Sequence, residues 1–407
     1  MKRSPPSVPL LALPLFGPFV VAALVSNVGS WMQSFSEQWV VVLQAGPLAA
    51  RWAGRLGFFS GLATLLVTPF GGMLVDRIGR RRMLLASQLW LAAIALAMGV
   101  LACFPGGLTL WRLVLFSLAT GTGIALMAPT THSLMADLLP ADRLAAGAGL
   151  MSLQFNLGRM AGPALAALAL PLVGVAGNFT LNALSFLGLV WLSLRLPPAR
   201  PAARGPSSAS YAEALAACRR DPELWLVMIL SLAAGLFAWS YHSFVAVYAV
   251  RYLAAGPGGA AALLVFYGAG ALVGSLLLTR DRGRSVWGRL LGSMLGYGLA
   301  LALMGFFPHP RWTPWVICLL GLGHAFFGNL MGVEVQRRAP EAVRGRVTAL
   351  YLMAVLGVTP LANLLAGEVA QTLGFAGVRQ VLAVQGLLLA LVAVWATGWR
   401  RLRRRSG

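Results

Sequence analysis

Apolar residues run in long stretches along this chain, each closed by a short connection rich in Arg, Gly and Pro. At about 20 apolar residues per bilayer crossing, the pattern predicts twelve helical spans. They fall near residues 17–42, 55–75, 83–104, 109–135, 145–169, 174–195, 222–250, 258–279, 287–307, 313–335, 347–370 and 377–399. The chain therefore reads as an all-α polytopic membrane protein.

One connection breaks the rhythm. Arg195 to Asp221 is hydrophilic, and Pro197, Pro198, Pro201 and Pro206 make its first part irregular. Ser210 followed by Glu213 resembles a capping box that opens a short surface helix. The division this implies is an N-terminal six-helix half at 1–195, a central linker at 196–221, a C-terminal six-helix half at 222–399 and a basic tail at 400–407. An internal repeat relates the halves: Pro140-Ala141-Asp142-Arg143 and Pro340-Glu341-Ala342-Val343-Arg344 precede matching spans 200 residues apart, and Pro163 and Pro360 stand 197 apart within them.

Composition agrees with the pattern. Apolar residues make up 58% of the chain and charged ones 11%, with a mean hydropathy of +0.78, far from a soluble globular domain. A net charge of +21 would suggest nucleic acid if it were one patch, but the basic residues sit in clusters between apolar runs, so no nucleic-acid partner is expected. Of 32 Lys and Arg, six (Arg51, Arg55, Arg112, Arg251, Arg311 and Arg379) fall on one side, Arg159 lies within a span, and the rest fall on the other side. The positive-inside rule makes that richer side cytoplasmic, with both termini there and the protein multi-pass in the cell membrane. The basic, apolar start at Met1 reads as a short cytoplasmic tail leading into the first span, not as a cleaved signal. Cys103, Cys218 and Cys318 are odd in number and scattered, so neither a disulfide framework nor a metal site is indicated, and no cofactor is expected. Lys2 is the only lysine, so no phosphate-binding GxxxxGK[ST] loop exists and energy must come from a gradient or a partner.

The stretch GMLVDRIGRRR joins the second and third spans. Gly72 allows close helix approach, Asp76 is a carboxylate at a helix end, and Gly79 can take the positive φ of a tight turn before the arginines. Gly72, Asp76, Arg77, Gly79, Arg80 and Arg81 together resemble the loop signature of the major facilitator superfamily. Gly274 followed by TRDRGR is a worn counterpart in the second half. The resemblance implies two pseudo-symmetric six-helix halves with the substrate site at their interface, and a latch at the signature that is made in one transport state and broken in the other. In the fifth span Gly149, Gly158, Gly162 and Pro163 resemble the antiporter signature of superfamily exporters, with Ala166 and Ala167 where that family prefers glycine. Their glycines permit tight helix packing and Pro163 permits a bend. The phrases SNVGSWMQ, FNLGRMAGP, NFTLNALSF and RGRVTALYLMAVLGVTPL look like the branch of enterobactin-type siderophore exporters and macrolide-efflux-like permeases.

Candidate chemistry lies in the spans. Asn27, Ser30, Ser34, Glu37 and Gln38 share one face of the first span, within about 100° at 3.6 residues per turn. A polar stripe in lipid faces the bundle interior or a wet cavity. Glu37 is the one acid placed inside the first six spans away from their ends, which makes it the first candidate for proton coupling; the alternative is a solvated helix-end residue. His132, His242 and His324, in the fourth, seventh and tenth spans, are secondary candidates, each also readable as a packing residue. Asn27, Trp31, Gln33, Ser34, Arg159, Trp239 and Tyr241 are candidate cavity residues. Arg159 binds an anionic group, pairs with Glu37 or ties two helices together.

The expected function is a secondary active transporter working by alternating access. Its expected partners are protons and membrane lipid, its cargo a medium-sized amphipathic compound such as a drug or siderophore that it exports, and its state monomeric. A lipid or lysophospholipid permease and a non-transporting membrane sensor are the alternatives. An enzyme is not expected, because no HExxH, paired-aspartate or Ser/His cluster occurs.

Overall fold

A computed structural model describes residues 9–196, 210–280 and 285–406; the side chains of some positions within these, among them 69, 71–73, 76, 132 and 133, lie outside the described ones. The described chain is built of helices: α1 (Phe16–Ala45), α2 (Ala49–Ile78), α3 (Arg80–Ala102), α4 (Leu110–Leu138), α5 (Leu144–Ser185), α6 (Leu187–Arg195), α7 (Tyr211–Arg220), α8 (Pro222–Phe237), α9 (Tyr241–Leu253), α10 (Pro257–Arg280), α11 (Val286–Phe306), α12 (Thr313–Arg338), α13 (Arg344–Leu352), α14 (Thr359–Thr372) and α15 (Gly377–Ser406). Among the described residues nine helical stretches are long and apolar enough to cross a membrane.

Local chemistry explains where several helices begin. The Thr109 side chain accepts from the Arg112 N–H at the start of α4. Asp221 accepts from the N–H groups of Glu223 and Leu224 at the start of α8, with Pro222 in the first turn where its missing N–H costs nothing. Ser210 and Glu213 exchange both bonds of a capping box before α7.

Four predicted spans are less regular than their hydropathy. The stretch Ala146–Arg195 is 50 residues of nearly continuous helix, roughly 75 Å at 1.5 Å per residue against a hydrocarbon core of about 30 Å. It holds room for two crossings. Its non-helical backbone lies at Gly174 (φ +66°), while Pro163 and Pro171 stay within the helix. The seventh predicted span is broken between α8 and α9, and the eleventh contains a π-turn at Met353–Gly357 before Pro360.

Contacts divide the chain into two compact units, one of Met1–Glu37 with Leu66–Ala203 and the other of Gln38–Leu65 with Arg204–Gly407. In the first unit α3 packs on α4, α5 and α6. In the second α10 lies along α12 and α11 along α15. Glycines allow the close approach in that second unit: a Cβ on Gly321 would stand 1.9 Å from the Tyr267 carbonyl oxygen, and one on Gly270 1.8 Å from that of Cys318. Residues 49–65 also belong here. Arg51 and Arg55 share the Glu368 carboxylate at 2.8 and 3.1 Å, and a Cβ on Gly54 would come 2.9 Å from the Gly367 Cα.

Candidate functional site

Polar side chains buried in the first unit form a connected network around Glu37. The carboxyl is 8% exposed, and both its oxygens accept hydrogen bonds: Oε1 from Gln33 Nε2 at 2.8 Å and Oε2 from Ser117 Oγ at 3.1 Å. Gln33 sits one turn earlier on α1, so the helix itself brings the amide to the acid. Gln33 Oε1 accepts from Asn182 Nδ2 at 2.6 Å, and its amide also reaches Thr120 Oγ1 at 3.3 Å. Asn182 Oδ1 accepts from Ser185 Oγ at 3.1 Å. One turn earlier on α5, Asn178 donates to Ser36 Oγ and to the Ala166 carbonyl. No ion pair to Glu37 occurs among the described residues. A charged carboxyl buried without a cation is costly even with two donors, and protonation or a cationic ligand would remove that cost.

Sequence reasoning missed most of this network. Ser117, Thr120, Asn178 and Asn182 carried one usable signal, polar residues one turn apart on otherwise apolar spans. Small residues make room for it, since a Cβ on Gly29 would fall 2.5 Å from Asn182 Oδ1 and 2.3 Å from Ser185 Oγ.

The glycine pattern of α5 has a geometric role in the same unit. A Cβ on Gly158 would meet Asn27 Cβ at 2.8 Å, and one on Gly162 would meet Trp31 Cβ at 2.4 Å and the Val28 oxygen at 2.7 Å, so α1 and α5 approach nearly backbone to backbone. Gly149 faces open space. Across this seam Asn27 Nδ2 donates to Gln154 Oε1 at 2.6 Å, and Trp31 meets Phe155 edge-on at 6.0 Å. Arg159 is 7% exposed and donates to Asn156 Oδ1 at 2.7 Å on its own helix. Ser34 is half-buried on α1.

At the Arg-rich end, Gly79 (φ +88°) is the single residue between α2 and α3. Arg80 pairs with Asp137 at the end of α4, and Arg81 donates to the Leu194 carbonyl at 3.0 Å. Arg77 is exposed. The side chains of Gly72, Asp76 and His132 lie outside the described ones.

Unit two carries a different site. Trp239, Tyr241, His242, Tyr267 and His324 gather where α9, α10 and α12 meet. The Tyr267 hydroxyl and His324 Nδ1 are 2.6 Å apart, the Trp239 and His324 rings 4.4 Å between centroids, and the His242 and Tyr267 rings 4.5 Å. Tyr241 stacks on Tyr267 at 5.8 Å, with its hydroxyl buried and unpartnered among the described residues. Tyr267 is a further residue that sequence reasoning did not single out. The second unit also buries Glu334, which takes Arg337 and Arg338, while Arg338 reaches Asp221 and Glu223. The cysteines are free, and among the described residues no His, Cys, Asp and Glu cluster could hold a metal.

Comparison with known proteins fits these helices to a group. A family model described as transmembrane secretion effector matches residues 6–404. The chain is similar to the multidrug efflux pump Tap of Mycolicibacterium fortuitum, 26% identical over 399 residues that cover 94% of this chain and 95% of that one. It is similar to macrolide efflux protein A of Streptococcus pyogenes at 22% identity, with 84% and 85% covered. In fold it resembles a D-xylose-proton symporter, with a TM-score of 0.75 over 94% of this chain and 97% of that one at 14% identity. It also resembles a bacterial homologue of the lysosomal transporter Spinster, with a TM-score of 0.72 at 16% identity over 95% and 97% of the two chains. At such identities the likeness concerns fold alone.

Proposed function

The chain belongs to the transmembrane secretion effector family of major facilitator transporters, and from that premise we propose that it exports a medium-sized amphipathic compound in exchange for protons. The observation that carries this reading is the Glu37 carboxyl, buried, held by Gln33 and Ser117 and without a cationic partner among the described residues. A carboxyl held in this way can exchange a proton for a cationic or hydrogen-bonding ligand, the trade an antiporter needs. The names of the similar efflux proteins support export of a drug-like molecule over import.

On this reading the Glu37 network is the proton site, and His132, His242 and His324 are the secondary candidates, to which the role passes only if Glu37 does not carry it. Asn27, Trp31, Gln33, Ser34, Arg159, Trp239 and Tyr241 are the residues offered to substrate. Two six-helix halves, 1–195 and 222–399, alternate access around it, with the arginine-rich side cytoplasmic. Asp76 and its arginines act as the latch, and Asp76→Asn impairs transport while leaving insertion intact. The chain acts as a monomer within the lipid of the cell membrane.

The test is proton release from the purified, weakly buffered protein on adding macrolides, lipophilic cations, siderophores and lysophospholipids in turn. Wild type is expected to release protons with one class, and Glu37→Gln to bind that class without release. Release that survives the substitution overturns the role of Glu37. Binding without release in wild type overturns antiport, and a response to lysophospholipid alone replaces drug export by lipid transport.

A further inference from the structure

A groove of about 320 Å³ opens between the Arg-rich ends of α11 and α15, and none of the residues assigned to transport above lines it. Trp287, Leu291, Gly292 and Leu295 line it from one helix and Arg400 and Arg401 from the other. Its volume is at the lower end for ligand pockets, enough for part of an elongated molecule.

The two arginines play different parts. Arg400 is 9% exposed, donates to Glu223 Oε1 at 2.6 Å and lies 4.1 Å above the Trp287 ring, so it is fixed structure. Arg401 is exposed at the mouth and has no ion pair among the described residues. The groove also meets the first turn of a 21-residue helix, where N–H groups face outward. The cap there is loose: Ser285 Oγ accepts from the Gly288 N–H at only 3.5 Å. Independently of that helix end, Trp287 is 4% exposed and its indole N–H is buried with no partner among the described residues. Beyond this polar mouth the wall turns apolar, and nothing stands within 4 Å of where a Cβ on Gly292 would be. A cationic mouth, an unsatisfied donor and an open apolar furrow match a phosphate headgroup joined to an acyl chain.

We propose that this groove binds one anionic glycerophospholipid, with its phosphodiester on Arg401 and the start of α11, and an acyl chain along Leu291, Gly292 and Leu295. An anionic leaflet is found on the side where the topology places these arginines, so the lipid is at hand. The binding itself does not depend on transport or proton coupling. Arg401 selects the charge of the headgroup and Gly292 keeps the furrow open for the chain.

The experiment uses the delipidated full-length protein in detergent, with bound lipid counted by native mass spectrometry. Dioleoyl phosphatidylglycerol, dioleoyl phosphatidylcholine and inorganic phosphate are the probes, against wild type, Gly292→Leu and Arg401→Gln. Wild type is expected to hold one phosphatidylglycerol in preference to phosphatidylcholine, and Arg401→Gln to lose about fivefold in that preference, the worth of one arginine near an anionic headgroup. Gly292→Leu is expected to lose retention of both lipids with unchanged helicity and lipid-free melting, because the added side chain enters empty space. Charge attraction to the arginine tail alone would survive Gly292→Leu, so unchanged retention in that variant overturns the proposal. So do equal occupancy by the two lipids in wild type and full displacement of phosphatidylglycerol by inorganic phosphate, which would make the mouth a site for the free ion. Arg401→Gln alters only an exposed side chain and decides the headgroup contact even if the glycine variant folds poorly.

Discussion

The two compact units bury polarity by opposite means. The first wraps one carboxyl in amides and hydroxyls, with Glu37, Gln33, Ser117 and Asn182 joined by bonds of 2.6 to 3.1 Å. The second has no acid among its clustered aromatics and sets two imidazoles against Trp239, Tyr241 and Tyr267. An amide network fixes one geometry, because its amides both give and take, and a missing partner leaves a costly orphan. An aromatic cluster is held by area and ring edges, and tolerates a change of occupant at lower cost. Under the antiport proposed above, charge exchange belongs to the first unit, and the second adds ring surface that can take varied apolar cargo.

The largest expected effect separates those roles directly. Glu37→Asp keeps the charge but withdraws the carboxyl by one methylene from Gln33 and Ser117. The carboxyl loses two hydrogen bonds worth about 1.5–3 kcal/mol each when it is charged, and substrate-dependent proton release is expected to fall. His324→Gln is expected to keep the proton count per substrate and to change substrate affinity only. Both are read by parallel pH-indicator and binding titrations; loss of protons in His324→Gln with none in Glu37→Asp would reverse the assignment of the two units.

The next effect concerns how each unit holds its helices together. Gly162→Ala places a Cβ 2.4 Å from Trp31 Cβ on α1, and Gly321→Ala places one 1.9 Å from the Tyr267 carbonyl oxygen on α10. Overpacking of this kind costs about 1–3 kcal/mol. Gly321→Ala should be the more damaging, since a backbone oxygen at that distance cannot rotate away. Melting temperatures in detergent are expected to fall in both variants and to stay near wild type in Gly149→Ala, where nothing lies within 4 Å.

How far the sequence leads is uneven, and the reasons are physical. Hydropathy marks where helix must be, because lipid leaves the backbone no other partner, and the apolar runs are recovered as helices to within several residues. It does not mark how a helix ends or breaks. Pro163 draws attention in the sequence, yet the backbone departs from helix at Gly174, whose φ of +66° only glycine adopts readily. Glu37 stands out as an acid in a polar stripe. Its partner Ser117, and Asn182, which holds Gln33, do not, because they lie 80 and 145 residues further along, and one sequence holds no record of which spans touch. The α1 to α5 seam is foreshadowed by Gly158 and Gly162, since small residues in a span announce close approach without naming the neighbour. Tyr267 gives no such signal: an aromatic in an apolar run looks the same whether it packs or hydrogen-bonds.

That residue provides the smallest and most discriminating change. Tyr267→Phe removes the hydroxyl 2.6 Å from His324 Nδ1 and keeps the ring that stacks on Tyr241 and meets His242 edge-on. The loss of one hydrogen bond is worth about 0.5–1.5 kcal/mol, so the melting temperature is expected to drop slightly. If the second unit only accommodates cargo, proton release per substrate stays at the wild-type value, because the ring surface offered to an apolar ligand is unchanged. If the hydroxyl and the imidazole instead form part of a proton path, release falls although Glu37 is intact and its partners are undisturbed. The two readings differ in proton count and agree on stability, so pH-indicator titration of this variant beside Glu37→Asp tests whether charge exchange is confined to the first unit.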